Sequence, residues 1–174
     1  MNLFSYFEQN SILTQMGQIL NRWKEYFCTL LNTETEGLPD NQQDIEIPAP
    51  TFNEVCSIIN KLKSGKAGGT DNITSELIKY GGRALKQRIY RLIIMIWKEE
   101  QLPSQWNEGI ICPVFKKGDR LDCKNYRPIT LLNVAYKILA IILNQRLADI
   151  VEPTLGDYQS DFRPNRSTIY NFSY

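Results

Sequence analysis

The sequence contains no histidine. This absence excludes Ser-His-Asp and Cys-His catalysis, histidine-ligated zinc and the usual general base at neutral pH. Its four cysteines include no C-x-x-C pair, which excludes a zinc ribbon and a thioredoxin-type site. No apolar run approaches the roughly 18 residues that a membrane helix needs, and the N-terminus lacks a secretory signal pattern. We therefore expect an intracellular protein with reduced thiols and no membrane partner.

What the sequence does contain is typical of a globular protein. Of its 174 residues, 43% are hydrophobic and 22% are charged, which permits a packed core. The charge is uneven, because residues 1–60 contain two basic and eight acidic side chains, whereas residues 61–174 contain 18 basic and 11 acidic ones. The basic part suits a polyanionic partner such as a nucleic acid, although a solvated lysine-rich face would give the same count.

Hydrophobic spacing predicts a chain that is mostly helical. The predicted helices cover residues 11–32, 51–62, 75–80, 83–101 and 133–151. Thr51 and Glu54 have the spacing of a capping box, and Asn133 is the expected N-cap of the last helix. A single strand is predicted over 108–116, where Pro113 indicates a bulge or an edge position. The last helix has apolar residues on more than one side, so we expect part of its apolar surface to be exposed.

Three loops in the basic part of the chain could bind a ligand. Residues 65–72 are glycine-rich, but the Gly-Lys pair comes first and a helix precedes it, so a flexible turn is favoured over a P-loop. The charged loop 116–128 places lysines at a strand end and an arginine beside a proline. In 159–167, two arginines bracket a proline before a possible helix start. Arginine forks onto phosphate oxygens and lysine acts as a point charge, so an anion site and a solvated turn both remain open.

Paired carboxylates are scarce in the same region. Two-metal phosphoryl transfer requires acidic side chains that converge within a few ångströms of one another. The close aspartate pairs are Asp119 with Asp122 and Asp157 with Asp161, and all four lie in predicted loops beside cations. We therefore predict no metal site and no catalytic residue in this chain.

Taken together, these segments resemble the start of the reverse transcriptase domain of a non-LTR (LINE-type) retrotransposon. The resemblance covers about 150 of the 174 residues. It runs from WKEYF (23–27) through KLKSGKAGGTDNITSELIK (61–79) and LPSQWNEGIICPVFKKGDRLDCKNYRPITLLNVAYKILAIILNQRL (102–147) to FRPNRS (162–167). The order and spacing of these motifs make the resemblance specific.

The resemblance implies an α+β, mostly helical fold that forms the fingers and the palm edge of a right-hand polymerase, incomplete in this chain. Residues 1–50 would be an N-terminal helix and acidic linker that precede the polymerase. Residues 51–174 would be the N-terminal part of the reverse transcriptase domain, truncated before the catalytic palm. The family's metal-binding aspartates lie beyond the FRP motif. We therefore expect an RNA-directed DNA polymerase fragment that is inactive alone and has no cofactor of its own, although the complete enzyme uses Mg²⁺.

The resemblance also implies a nucleotide-binding set. Lys117 and Arg127 would face the incoming deoxynucleotide triphosphate, with Lys116 as a second candidate. Arg163 of the FRP motif would border the same nucleotide. Because these cations and Arg166 lie on restrained backbone, we expect all five to line one concave surface that binds RNA weakly and without sequence preference.

Further residues are implied to contact nucleic acid. Lys66 and Asp71 belong to a loop that the family associates with template RNA, and Arg166 would border the template path. Asn72 stands where the family usually has glycine, and asparagine tolerates a left-handed backbone. The implied partners are an RNA template and a DNA primer, and the implied location is nucleus and cytoplasm. The alternatives are a co-opted, non-catalytic nucleic-acid-binding module and a helical interaction domain whose basic residues are only solvated.

Overall fold

The computed structural model describes residues 6–8, 11–32, 47–156, 159 and 163. The chain divides into two compact units. The first unit comprises Met1–Glu46, Ala67–Thr74 and Leu102–Asn133, and the second comprises Ile47–Lys66, Ser75–Gln101 and Val134–Tyr174. The predicted division into 1–50 and 51–174 stays a prediction.

The described residues of the first unit form one α-helix and two small antiparallel ribbons. Strands β1 (Tyr6–Glu8) and β2 (Ser11–Leu13) pair with each other and are followed by α1 (Met16–Leu31). Strands β3 (Ile110–Phe115) and β4 (Tyr126–Leu131) form the second ribbon. The helix predicted over 11–32 therefore begins later than expected. Helical spacing of apolar residues does not exclude a short strand, and pairing with β1 supplies backbone hydrogen bonds that isolated residues lack.

The core of the first unit is aromatic. Helix α1 presents Ile19, Trp23 and Phe27, which are spaced four residues apart and therefore lie on one face. This face packs with Cys123 and Tyr126, which belong to the segment that joins β3 to β4 and to the start of β4. Helix α1 is thus part of the same core as the β3–β4 ribbon.

The second unit is helical. It contains α2 (Phe52–Lys61), α3 (Ser75–Tyr80), α4 (Gly82–Glu99) and α5 (Val134–Val151). Its core consists of aliphatic side chains, namely Val55, Ile58, Ile59, Ile78, Ile93, Ile96, Val134, Ile138, Leu139 and Ile142. The predicted helices at 51–62, 75–80, 83–101 and 133–151 are confirmed to within about two residues.

Local signals in the second unit are also confirmed. The Thr51 hydroxyl accepts a hydrogen bond from the Glu54 backbone N–H at 3.2 Å, and the Glu54 carboxylate accepts one from the Thr51 N–H at 3.4 Å. Helix α5 exposes apolar side chains as predicted, since Leu143 and Leu147 are 47% and 57% exposed. The fold class, α+β and mostly helical, is confirmed as well.

Strand β4 corrects one prediction. Residues 116–128 were expected to form a loop, but Tyr126–Leu131 is a strand in which Arg127 lies opposite Val114 and Pro128 opposite Pro113. The Lys116 N–H donates to the Asn125 carbonyl at 2.8 Å. Because bonded and non-bonded pairs alternate along an antiparallel ladder, the two prolines form a non-bonded pair, where no N–H is required. Proline is therefore tolerated here, and Pro113 has the edge position that was predicted.

Other features of the described residues bear on the sequence analysis. Asn72 has a positive φ of 56°, the left-handed backbone expected of a residue in a glycine position. Within the described ranges, no helix combines the length and the apolar character needed to cross a membrane. The predicted linker over 33–50 and the possible helix start at Ser167 lie largely or wholly outside the described residues.

Candidate nucleic-acid-binding ribbon

The β3–β4 ribbon has two chemically different faces. Residues that lie directly opposite each other share a face, and the faces alternate along each strand. Phe115 and Tyr126 are opposite each other, and Tyr126 is only 6% exposed because its ring packs edge-on against Trp23, with ring centroids 4.9 Å apart. The next pair, Val114 and Arg127, lies on the other face and is exposed. Arg127 therefore points away from α1.

Lys116 lies on the same face as Arg127. Its hydrogen bond to Asn125 extends the ladder by one pair, so the alternation that places Val114 beside Arg127 continues to Lys116. Diagonal neighbours on one face of an antiparallel pair are roughly 7–8 Å apart. Lys117 follows at the start of the turn and is exposed. The ribbon thus brings together three of the four residues that were predicted to bind a nucleotide.

The turn between the strands, residues 116–125, is called the tip below, and it is held by its own hydrogen bonds. Gly118 has a φ of 91°, and a Cβ at this position would come within 2.9 Å of the Asn125 side chain. The Asn125 amide donates to the Asp119 carbonyl at 2.8 Å, and the Tyr126 hydroxyl donates to the Arg120 carbonyl at 2.9 Å. The Arg120 guanidinium lies 5.0 Å from the centre of the Phe115 ring. These contacts fix the backbone from which Lys116 and Lys117 extend.

The described part of the tip contains one ion pair. Lys124 forms an ion pair with Asp122 at 2.7 Å, and this hydrogen-bonded partner lowers the pKa of the Asp122 carboxyl. The Asp119 carboxylate accepts a hydrogen bond from the Leu121 N–H at 2.9 Å. The ion pairs between described residues involve Arg22, Lys124, Arg146 and Arg163. None of them engages Lys116, Lys117 or Arg127, whose charges face solvent.

The aspartates of the tip do not fit a metal site. Their oxygens accept hydrogen bonds from the tip itself, and Asp122 is paired with a lysine. In the part of the chain that the structure describes, no group of three or more acidic, cysteine or histidine side chains could hold a metal ion. Asp157 and Asp161, the other predicted pair, lie outside the described residues.

A polar cleft lies at the other end of the ribbon. It has a volume of about 490 Å³ and is lined by Thr70, Asp71, Ser104, Gln105, Glu108 and Asn133. The Asn133 side chain is buried, and its oxygen accepts hydrogen bonds from the Thr70 hydroxyl at 3.3 Å and the Asp71 N–H at 3.5 Å. Five strand steps separate Ile110 from Phe115, so about 17 Å of ribbon lies between this cleft and the tip. Asp71 is therefore not part of the cationic face.

Sequence reasoning did not identify this cleft. Ser104 and Gln105 lie in a short 3-10 turn, and Glu108 lies two residues before β3. Their proximity to Asp71 depends on a contact between segments more than 30 residues apart, for which the sequence has no local signal. Asn133 directly precedes α5, and its side-chain oxygen accepts hydrogen bonds from the Thr70 hydroxyl and the Asp71 N–H.

The remaining predicted site residues lie in the second unit. Lys66 is exposed in the turn after α2, where the preceding Gly65 N–H donates to the Glu76 carboxylate. The Arg163 side chain is 6% exposed and binds Glu152 at 2.7 Å, with further bonds to backbone carbonyls of the turn after α5. Its role at a nucleotide stays a prediction. Arg166 lies outside the described residues, so a single surface shared by all five cations also stays a prediction.

The chain is similar to proteins of transposable elements. It is 27% identical over 140 residues to the Transposon TX1 uncharacterized 149 kDa protein of Xenopus laevis, which covers 78% of this chain and 11% of that protein. It is 28% identical over 135 residues to the Probable RNA-directed DNA polymerase from transposon BS of Drosophila melanogaster, covering 74% and 14%. The Retrovirus-related Pol polyprotein from type-1 retrotransposable element R1 of Bradysia coprophila is 27% identical over 135 residues, covering 74% and 13%.

These similarities concern a small part of each relative. The chain spans 11–16% of the length of five curated relatives that it matches. No protein-family model matches it. The resemblance predicted from the motifs is nevertheless confirmed: over about three-quarters or more of its length, this chain is similar to reverse transcriptase and Pol proteins of non-LTR retrotransposons.

Proposed function

We propose that this chain is a nucleic-acid-binding segment of an RNA-directed DNA polymerase, corresponding to the fingers and the palm edge of a right-hand polymerase. Its partners would be an RNA template, a DNA primer and a deoxynucleotide triphosphate, in the nucleus and cytoplasm. The similarity to proteins named as probable RNA-directed DNA polymerases supports this class of activity for the whole protein. No metal-assisted step is assigned to the described residues, because their carboxylates do not fit a Mg²⁺ site.

One observation carries the proposal. The face of the β3–β4 ribbon that points away from α1 holds Lys116 and Arg127, with Lys117 at the adjoining tip. No described carboxylate pairs with these three cations. The backbone that holds them is restrained by ladder hydrogen bonds, by two prolines and by the packing of Tyr126 on α1. A fixed set of uncompensated cations is suited to phosphate groups, because little conformational entropy is lost on binding.

The chemistry of each side chain suggests its role. Arg127 can donate two parallel hydrogen bonds to one phosphate and would orient it, whereas Lys116 and Lys117 would act as point charges. At a polymerase site these contacts would orient the triphosphate of the incoming nucleotide. In the absence of a nucleotide they would bind the phosphates of RNA, typically with a Kd of roughly 10⁻⁴–10⁻⁶ M near physiological salt. Lys66 and Asp71 remain the proposed contacts to template RNA, and Arg163 and Arg166 the proposed borders of its path.

The proposal is tested by the salt dependence of RNA binding. Fluorescence anisotropy would be measured with the full chain and a labelled single-stranded RNA of mixed sequence between 50 and 200 mM NaCl. Arg127→Ala should weaken binding to all sequences and lower the slope of log K against log salt by about 0.7, the value for one phosphate contact on a single strand. Arg127→Lys should keep the slope of log K against log salt but lower the affinity. The positive charge remains, whereas the two parallel hydrogen bonds of the guanidinium to one phosphate are lost.

Lys24→Gln is the matched control. Lys24 is an exposed cation on α1 in the same unit, and its removal changes the net charge by the same amount. The control should bind RNA as the unmodified chain does. RNA binding that does not depend on salt, or an equal loss in the control and in Arg127→Ala, would contradict a phosphate-binding ribbon and favour a helical interaction domain with a solvated basic surface.

A further inference from the structure

Helix α4 has a strongly basic composition. Its 18 residues include five basic side chains and one acidic side chain, Glu99, at its last position. The motifs that indicate a polymerase do not include these residues. Arg88, Arg91 and Lys98 are exposed, and Met95 between them is 46% exposed. The three cations are called the α4 stripe below.

The α4 stripe follows from helical geometry. At 100° per residue, Arg88, Arg91 and Lys98 fall within a sector of about 80°, so they lie on one side of the helix. Ten residues at 1.5 Å per residue give the row a length of about 15 Å. Glu99 lies beyond Lys98 at the end of the helix, so no acidic residue interrupts the row.

Packing within the second unit holds the stripe outward. Ile93 and Ile96 are buried on the inner side of α4, and Tyr90 packs edge-on against Phe52 with ring centroids 5.5 Å apart. Lys86, at the edge of the inner side, donates to the Asn60 side chain at 2.8 Å. The ion pairs among the described residues do not involve the stripe. Its cations therefore have a fixed helical support and no described acidic partner.

The composition of this side of the helix narrows the choice of ligand. Tyr90 packs against Phe52 and Trp97 is half-buried, and the stripe itself contains no aromatic side chain on which an unpaired base could stack. The stripe can therefore contact phosphates but has no means to hold unstacked bases. Double-stranded DNA carries one negative charge per about 1.7 Å of its axis, so a length of about 15 Å carries about nine charges on its two strands. A double strand thus matches a straight, rigid row of cations better than a single strand does.

We propose that the α4 stripe binds the phosphate backbone of a nucleic-acid duplex without sequence preference. The proposal takes its class of ligand from the proposed function, but it rests on different residues, in the other compact unit. It adds a second contact surface for a polymerase segment, one that would hold paired nucleic acid while the β3–β4 ribbon contacts a nucleotide or a single strand.

Binding of the full chain to a 20-base-pair DNA duplex tests the proposal. Anisotropy would be measured between 50 and 200 mM NaCl, with a 20-nucleotide single strand as the second probe. Each of Arg88→Gln, Arg91→Gln and Lys98→Gln should lower the duplex slope of log K against log salt by about 0.9, and the triple variant by about 2.7. Loss of binding to the single strand should be smaller, because its charge density is lower.

Arg83→Gln is the matched control. Arg83 is exposed on the same helix but lies about 140° from Arg88 around its axis, outside the stripe. It should leave the duplex slope unchanged. Thermal melting of each variant would confirm that the helix is still folded, which is expected because all four side chains are exposed.

Three results would overturn the proposal. In the first, the triple variant keeps the duplex slope of the unmodified chain. In the second, Arg83→Gln lowers the duplex slope as much as Arg91→Gln does, which would show that only the net charge matters. In the third, the triple variant binds the duplex as the unmodified chain does but no longer binds polyglutamate, used as a further probe, which would indicate that the stripe binds an acidic protein. The Arg127 variants report separately on the β3–β4 ribbon, so failure of the proposed function and failure of this inference are distinguishable.

Discussion

The ring of Trp23 in α1 packs edge-on against the ring of Tyr126 in β4, with the centroids 4.9 Å apart. Tyr126 is adjacent to Arg127, and the two side chains point to opposite faces of the β3–β4 ribbon. The aromatic contact therefore fixes the orientation of the strand that presents Arg127 to solvent. Through this contact, a residue of the N-terminal helix supports a candidate phosphate-binding face about 100 residues further along the chain.

Removal of this support should be measurable at a buried thiol. Trp23→Ala should destabilise the first unit by about 3–5 kcal/mol, the usual cost of truncating a buried tryptophan. Cys123 packs in the same core, and burial raises the pKa of its thiol, which slows alkylation because the thiolate is the nucleophile. The variant should therefore be alkylated at Cys123 much faster by iodoacetamide at pH 8, as measured by mass spectrometry.

Exposed residues provide the controls for this experiment. Leu20→Ala removes an apolar side chain from the solvent side of α1 and should leave the rate at Cys123 unchanged. Cys28 is exposed and should react at the same rate in all three proteins. Equal protection of Cys123 in Trp23→Ala and in the unmodified chain would show that α1 does not hold the ribbon.

The tip should not tolerate a side chain at Gly118. Its φ of 91° is unfavourable for any other residue, and an added Cβ would meet the Asn125 side chain that binds the Asp119 carbonyl. Gly118→Ala should therefore destabilise the first unit by more than about 1 kcal/mol and weaken RNA binding. Chemical denaturation followed by circular dichroism, together with anisotropy, checks both effects.

Gly17→Ala gives the opposite expectation. Gly17 lies in α1 with no atom within 4 Å of the position of an added Cβ. Alanine should be neutral or stabilising there, by up to about 1 kcal/mol, because it loses less backbone entropy in a helix. If both variants were equally stable, the tip would not be constrained as the structure indicates.

Local chemistry explains which elements the sequence could predict. Thr51 and Glu54 form both hydrogen bonds of the predicted capping box, because the partners are three residues apart and need no tertiary contact. Asn72 takes the left-handed backbone for an equally local reason. Helix α3 ends at Tyr80, directly before the pair Gly81–Gly82, because glycine readily takes the backbone that ends a helix. These features depend on neighbouring residues, and the sequence displays them directly.

Long-range pairing explains what the sequence did not predict. Strand β4 pairs with β3, a partner more than ten residues away along the chain. Pro128 favoured a loop in the sequence, because only the pairing with β3 shows that Pro128 lies opposite Pro113 in a pair that needs no backbone N–H. The hydrogen bonds of Arg163 to Glu152 and to the turn after α5 were not indicated by its motif, and its expected place at a nucleotide stays a prediction. Sequence reasoning did not single out Arg88, Arg91 and Lys98, because basic residues on the solvent side of a helix carry no local signal that separates a ligand-binding row from an ordinary solvated face.

Asn133 should be required for the backbone that precedes α3. Its buried oxygen accepts hydrogen bonds from Thr70 and Asp71, and a Cβ at Gly69 would come within 2.5 Å of its backbone nitrogen. Asn133→Ala should cost about 0.5–1.5 kcal/mol, the net value of a typical hydrogen bond, because Thr70 and Asp71 lose their acceptor but are exposed to water. Hydrogen exchange at Asp71 and Asn72, measured by NMR, should become faster while exchange in α4 is unchanged. Asn133→Asp, which keeps an acceptor oxygen, should preserve more of the protection; equal exchange in all three proteins would argue against this link.

Acid should weaken the tip through Asp122. The hydrogen bond and ion pair from Lys124 lower the pKa of this carboxyl in the folded chain relative to about 3.9 when unfolded. A carboxyl whose pKa is lower in the folded than in the unfolded state stabilises the fold at pH values above its unfolded-state pKa. This stabilisation is lost as the pH falls through the pKa of the folded state. Because the Asp122 side chain is 36% exposed, the contribution should be below about 1 kcal/mol and should decrease with added salt.

Asp122→Asn isolates the charge. The asparagine oxygen can still accept the bond from the Lys124 N–H, so the local turn is retained and only the ion pair is removed. The variant should be slightly less stable than the unmodified chain near pH 7, and the difference should be smaller near pH 2, because Asp122 becomes protonated as the pH falls through its lowered pKa. Urea unfolding of both proteins at the two pH values measures this difference. A difference that persists at low pH would assign the effect to the hydrogen-bonded turn instead of to the charge.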